Sequence, residues 1–271
     1  MLLNYQEIKT KHLVRKAILE AAYKSTETHI GSALSSAEIM EAIYFQVANI
    51  TKDNCNYPER DRIIMSKGHA ALAQYACLML KGIMPKEVFE TYNLDGGLLP
   101  AHVDCECSDG IEVSTGMSLG HGVGLAVGFA LANRLKKIKA RCFVIVGDGE
   151  LQEGSIWEGL NSIIDLNLNE ITVILDKNDM QASAETKDIT DNSKLSGVFE
   201  QMGFDVITVD GHDADSVAQA LNKTSDKPLL VIANTIKGNG LPSPFENTIK
   251  SHYVRLTPEQ YQMAMKKVEG E

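Results

Sequence analysis

Apolar positions along this chain fall into two kinds of run. Short stretches dominated by apolar, often β-branched residues occur at residues 62–65 (RIIM), 141–146 (RCFVIV), 171–175 (ITVIL), 204–209 and 229–233. Such stretches predict the strands of a parallel sheet. Between them the period lengthens to that of a helix. Ile8, Val14, Ala17, Ile18 and Ala21 share one face and predict a first helix over residues 5–24. Ser35-Ser36-Ala37-Glu38 has capping-box spacing and opens a helix through Ile39, Ile43 and Val47. Further helices are predicted over 70–80, from Pro85, through an alanine- and valine-rich run ending near Arg134, over 155–167, over 213–221, and from Pro258 onward. Strand and helix alternate, so the fold class is α/β: a single doubly wound domain across residues 1–271, its mostly parallel sheet covered by helices on both faces. Residues 93–115, 181–196 and 237–252 read as loops, and the first is long enough to suggest a functional role.

Two strand ends are polar. Residues 141–146 run into Gly147-Asp148-Gly149-Glu150, and residues 171–175 run into Asp176-Lys177-Asn178. The helix between them makes a strand–helix–strand unit, which brings both tips to one edge of a parallel sheet, where α/β folds bind ligands. Asp148 and Asn178 there offer hard oxygens to a small divalent cation, which takes its other ligands from water and a diphosphate. Gly149, lacking a side chain, lets a phosphate approach its backbone N–H.

Composition narrows the field. Hydrophobic content of 44% and charged content of 23% are those of an ordinary soluble domain, and a net charge of −10 argues against a nucleic-acid partner. No run approaches a membrane span and the N-terminus lacks a signal-peptide plan, so the expected location is cytoplasmic with no membrane partner. Five cysteines, an odd number, suit reduced thiols. His102, Cys105 and Cys107 lack the second ligand pair of a zinc site. Gly120-His121-Gly122-Val123-Gly124 only partly mimics a dinucleotide fingerprint: no strand precedes it and the third glycine comes too early, so helix packing is the better account. Four of the seven histidines, His29, His69, His102 and His252, fall in loops, where imidazole can move protons near neutral pH.

Gly147-Asp148-Gly149, followed by Glu153-Gly154, Trp157-Glu158 and Asn178, resembles the thiamine-diphosphate signature of the transketolase family. Thr28-His29-Ile30-Gly31, Ser66-Lys67-Gly68-His69, Pro100-Ala101-His102-Val103, Thr115-Gly116 with Leu119-Gly120-His121-Gly122, Lys237-Gly238 and Ser251-His252 are similar to further family segments, in the same order, over about residues 5–255. The resemblance implies thiamine diphosphate and Mg²⁺ as cofactors. It implies Asp148, Asn178 and the carbonyl of Met180 as metal ligands. Contacts to the cofactor would come from His69, Gly149, Glu150 and His252, with Gly116, Met117, Ser118 and Leu119 alongside it. His29, His69 and His102 would face the sugar and assist proton transfer. The activity implied is transfer of a two-carbon ketol unit from a ketose to an aldose, either of which can be phosphorylated.

Ile30, Ala101 and Val103 stand where the family has proline, glycine and proline, and the 115–119 segment is one residue longer than usual. No segment resembles the pyrimidine-binding or C-terminal domain. The resemblance therefore implies the N-terminal subunit of a split enzyme, completed by a C-terminal transketolase subunit in an α2β2 heterotetramer and inactive alone. Alternatives are the α subunit of another thiamine-diphosphate enzyme, such as a 2-oxo acid dehydrogenase or decarboxylase or a specialised-pathway transketolase, and a non-catalytic subunit that keeps the fold.

Overall fold

A computed structural model describes residues 4–116 and 118–270. Five parallel strands form one sheet in the order β1-β2-β3-β5-β4: β1 Arg62–Met65, β2 Cys142–Gly147, β3 Ile171–Lys177, β4 Asp205–Asp210 and β5 Leu229–Asn234. Alternate side chains of the three central strands enter opposite cores. Phe143, Ile145, Ile174 and Val231 point to one side, and Val144, Val146, Val173, Leu175 and Ile232 to the other. Being buried on both faces explains why these strands read as unbroken apolar runs. The α/β class and doubly wound sheet expected from the pattern are present.

The helices are α1 Tyr5–Thr10, α2 Leu13–Lys24, α3 Ile30–Ser35, α4 Ala37–Ala42, α5 Ala71–Leu80, α6 Lys86–Phe89, α7 Gly122–Lys136, α8 Gly154–Asp165, α9 Leu195–Met202, α10 Ala214–Leu221 and α11 Pro258–Glu269. Two expectations need correction. The first helix is two, because His12 adopts the left-handed region (φ 49°), and the polar run Lys9 to His12 gives the break no apolar contact to lose. The 35–38 segment is not a capping box: α3 already begins at Ile30, and the Ser35 and Ser36 hydroxyls donate instead to Asp176, on β3. The loop expected over 181–196 also holds a 3₁₀ turn, Thr186–Asp188, and the start of α9.

Glycines let α7 pack closely. A Cβ on Gly122 would lie 2.4 Å from Ser66 Cβ, and one on Gly159 of α8 would lie 2.7 Å from Val123. The 93–115 loop has no helix or strand, yet it is pinned to the strand-end turn by the bond from Val103 N to Gly68 O, 3.1 Å.

Candidate functional site

Four strands deliver polar residues to one edge of the sheet. β1 leads to Lys67 and His69, β2 to Asp148 and Gly149, β3 to Asn178 and Met180, and β5 to Lys237. All of these line a cavity of about 160 Å³, together with His252 and Leu119. That is small beside the roughly 300–1,000 Å³ of ordinary ligand pockets. Of the described residues in the 116–119 stretch, Leu119 alone lines it; Ser118 Oγ lies 3.2 Å from His121 Nε2, and Met117 is outside the described residues.

Two carboxylates sit at this edge on neighbouring strands, with Gly147 of β2 paired to Asp176 of β3. Asp176 is wholly buried and accepts hydrogen bonds from Lys67 Nζ, Thr235 Oγ1, Ser35 Oγ (2.6 Å) and Ser36 Oγ (3.0 Å). Burial alone would raise its pKa, but the Lys67 ammonium and these donors outweigh it and hold the carboxyl below its ordinary range. Asp148 is also buried, but among the described residues no cationic side chain bonds to it. One oxygen accepts from Gly149 N (3.0 Å), the other from Asp179 N (2.9 Å) and Thr186 Oγ1 (3.1 Å). Burial and then the Asp176 charge push it up to about 6.

The loop after β3 folds back to meet Asp148. Asp179 takes the left-handed region (φ 58°), Thr186 N donates to Asp179 O, and Met180 forms an isolated bridge with Glu185. This places the Asn178 side-chain oxygen, which accepts from Met180 N at 3.1 Å, in the same cavity as Asp148 and Met180. A Cβ on Gly149 would lie 3.2 Å from Gln181 Cγ, so a side chain there would crowd the cavity wall. Glu150 lines the cavity as well, but its carboxylate serves the protein: it accepts from Ser66 Oγ, Gly120 N (2.7 Å) and Gly147 N (3.1 Å), fastening the turn before α7 to the end of β2.

The loop histidines converge. His29 is central, its ring centroid 5.4 Å from His69, 5.2 Å from His102 and 5.1 Å from His252. Burial, reinforced by neighbouring positive charge, lowers His29 and His252 to about 4 and His69 well below its ordinary value; burial lowers His102 too. All four therefore favour the neutral ring at pH 7, in which one nitrogen can donate and the other can accept. Among the described residues, His29 Nδ1 is buried without a hydrogen-bond partner, a group that a ligand could satisfy.

Sequence reasoning gave no role to three residues here. Lys67 belongs to the buried ion pair with Asp176, a role only the fold could reveal. Tyr253, half exposed, packs its ring 4.9 Å from His29. Lys237 is buried, with Nζ 3.1 Å from both Gln181 O and His252 Nδ1 and 3.4 Å from Met180 O. Burial, then the Lys67 charge, lowers its pKa to about 8. Its place just past β5 is the same strand-end signal that exposed Asp148 and Asn178.

Comparison with known proteins agrees with this geometry. The family model described as transketolase, thiamine diphosphate binding domain, matches residues 7–270. The chain is 37% identical over 272 residues to a 6-deoxy-6-sulfo-D-fructose transketolase subunit of Clostridium sp. (strain MSTE9), covering 98% of each. It is 36% identical over 273 residues to an apulose-4-phosphate transketolase subunit of Actinobacillus succinogenes, covering 99% of this chain and 98% of that one. Among solved structures it is similar to transketolase from Leishmania mexicana (TM-score 0.89, 25% identity, 99% of this chain) and from Campylobacter jejuni (TM-score 0.85, 28% identity, 96% of this chain). It spans only 42% of each of those longer chains. With the strand-end site and the family match covering the same residues, the chain belongs to the transketolase family and corresponds to its thiamine-diphosphate-binding domain.

Proposed function

We propose that this chain is the N-terminal subunit of a two-subunit transketolase, using thiamine diphosphate and Mg²⁺ to move a two-carbon ketol unit from a ketose to an aldose. The observation that carries this reading is Asp148, a buried carboxyl at a strand end whose hydrogen-bond donors are all uncharged. Its donor set, with the Asn178 side-chain oxygen and the Met180 carbonyl, is the all-oxygen type a small divalent ion takes. A cation there would hold Asp148 ionised and leave coordination positions for a diphosphate.

When bound, the cofactor supplies a nucleophilic carbon and an electron sink for breaking the ketose C2–C3 bond. The chain's residues bind, orient and move protons. His69, His252 and Lys237 face the diphosphate end, and Gly149, whose own N–H donates to Asp148, puts no side chain into that space. His29 and His102 sit beyond, neutral, able to donate to sugar hydroxyls through one nitrogen and to accept a proton through the other. Two relatives are named for sugars bearing a sulfo or a phosphate group. An anionic, unusual ketose is therefore the proposed donor class. The cavity of about 160 Å³ is small beside ordinary ligand pockets, which supports a partner subunit closing the rest of the site; the assembly we propose is α2β2.

The test is titration calorimetry of the chain with its C-terminal partner half. Thiamine diphosphate should bind only with Mg²⁺ present, and ketol transfer should require both chains. Full turnover by this chain alone would overturn the split-enzyme reading. Cofactor binding by the complex that ignores Mg²⁺ would overturn the metal assignment.

A further inference from the structure

Lys237 stands at an awkward point in the chain. It follows the end of β5 and precedes Gly238 and Gly240, both in the left-handed region (φ 69° and 92°), so no regular element sets its position. Two side-chain clamps bracket it, beside the backbone bonds from Asn247 N to Lys237 O (2.8 Å) and from Gly238 N to Gly31 O (3.0 Å). On one side, Ile236 N donates to His212 Nε2 at 2.8 Å. On the other, Arg15 Nη1 donates to Asn239 O at 2.7 Å. The two clamps share one anchor. A backbone amide can only donate, so His212 Nε2 must accept, and the neutral ring then carries its proton on Nδ1. That N–H faces Glu38 Oε2 at 3.0 Å. Glu38 in turn takes a two-pronged hydrogen bond from Arg15, through Nε to Oε1 and Nη2 to Oε2 (2.6 Å). Arg15 Nη2 also reaches Leu34 O, at 3.3 Å, which ties the set to the end of α3, the helix that His29 precedes.

We propose that Arg15, Glu38 and His212 are positioning residues: together they hold the 236–239 segment so that the Lys237 ammonium stays over the diphosphate cavity. The inference rests on reading that cavity as the diphosphate site. All three residues line a separate cavity of about 420 Å³ that shares no lining residue with the candidate site, so none of them lines the diphosphate cavity. A buried two-pronged Arg–carboxylate pair is a stiff support, because both partners lose orientation freedom together. His212 converts that stiffness into a fixed direction for one backbone amide.

The experiment uses the complex of this chain with its C-terminal partner half. His212→Phe keeps the ring's bulk and removes both nitrogens. His212→Gln restores an acceptor and a donor at about the spacing of the two ring nitrogens. The Kd for thiamine diphosphate with Mg²⁺ should rise about tenfold or more in His212→Phe, the range seen when support residues around a site are lost. kcat at saturating cofactor should stay within about twofold, because the lost interaction is one of binding rather than of the reacting atoms. His212→Gln should recover most of the affinity. In a Lys237→Met background, His212→Phe should cost nothing further, because the residue it positions is gone.

A Kd unchanged in folded His212→Phe overturns the inference, as does a loss that adds in full to that of Lys237→Met. If phenylalanine is not accommodated, His212→Asn, too short to reach Ile236, gives the same comparison. Absence of Mg²⁺-dependent binding in the unmodified complex would instead remove the diphosphate reading itself. Normal binding there with an unaffected variant removes only the positioning role.

Discussion

Asp148 and Asp176 are the same residue type at the ends of adjacent strands, both buried, yet opposite in character. Asp176 faces a lysine ammonium and three hydroxyls and belongs to the scaffold. Asp148 faces two backbone amides and one hydroxyl, and Asp176 adds a negative charge beside it. A buried carboxylate is costly unless its charge is matched. The protein matches one with its own lysine and surrounds the other with neutral donors. Function here is legible in how a charge is matched, not in a special residue type.

The hardest blow to this contrast falls on its satisfied half. Lys67→Met strands the Asp176 charge in the core and should destabilise the fold by about 3–5 kcal/mol, read by denaturant unfolding of the chain. A loss below about 1 kcal/mol would mean that Asp176 is not the structural member of the pair. Asp148→Asn is the complementary change. It should leave apo stability at pH 7 within about 1 kcal/mol, while Mg²⁺-dependent cofactor binding by the two-chain complex falls on the order of 100-fold, or about 2.7 kcal/mol. Retained tight binding would show that the carboxylate is not a metal ligand.

Acid titration sharpens the contrast further. Asp148 is raised, so its contribution to stability is full below its unfolded value near 3.8 and is lost as pH rises through about 6. His29 and His252 are lowered, so theirs is present above about 6.5 and is lost as pH falls through about 4. Histidine NMR of the chain should show both rings neutral down to about pH 5, with midpoints near 4. A midpoint near 6.5 would place these rings in water rather than in a buried cluster. The smallest effect belongs to Ser36→Ala, which removes one of several donors to Asp176 and should cost about 1 kcal/mol in thermal unfolding.

How far the fold could be read from sequence followed the range of the interactions involved. β2, β3 and β5 were legible because burial on both faces makes them continuously apolar. Asp148 and Asn178 stood out because they end such runs at the sheet edge, and the four histidines because they fall in loops, where imidazole can move protons. Ser35 and Ser36 were misread because local spacing suggested a cap, whereas their acceptor, Asp176, lies about 140 residues away. The break at His12 depends on a single residue's backbone angle, which hydrophobic periodicity does not register. Glu150 sits in the right motif, but its carboxylate is spent on Gly120, Gly147 and Ser66, and no pattern in the sequence records that division of labour.

The bridge between Thr28 and Val254 joins the start of the chain to its far end through paired bonds of 3.0 Å. It brings His29 beside His252, and the two come from opposite ends of the polypeptide. A ribosome makes the first histidine long before the last. The contact closes a loop that contains every strand of the sheet, and so long-range a contact is slow to form. These two rings cannot meet until residue 252 has emerged, so the histidine cluster is among the last parts of the domain that synthesis can complete.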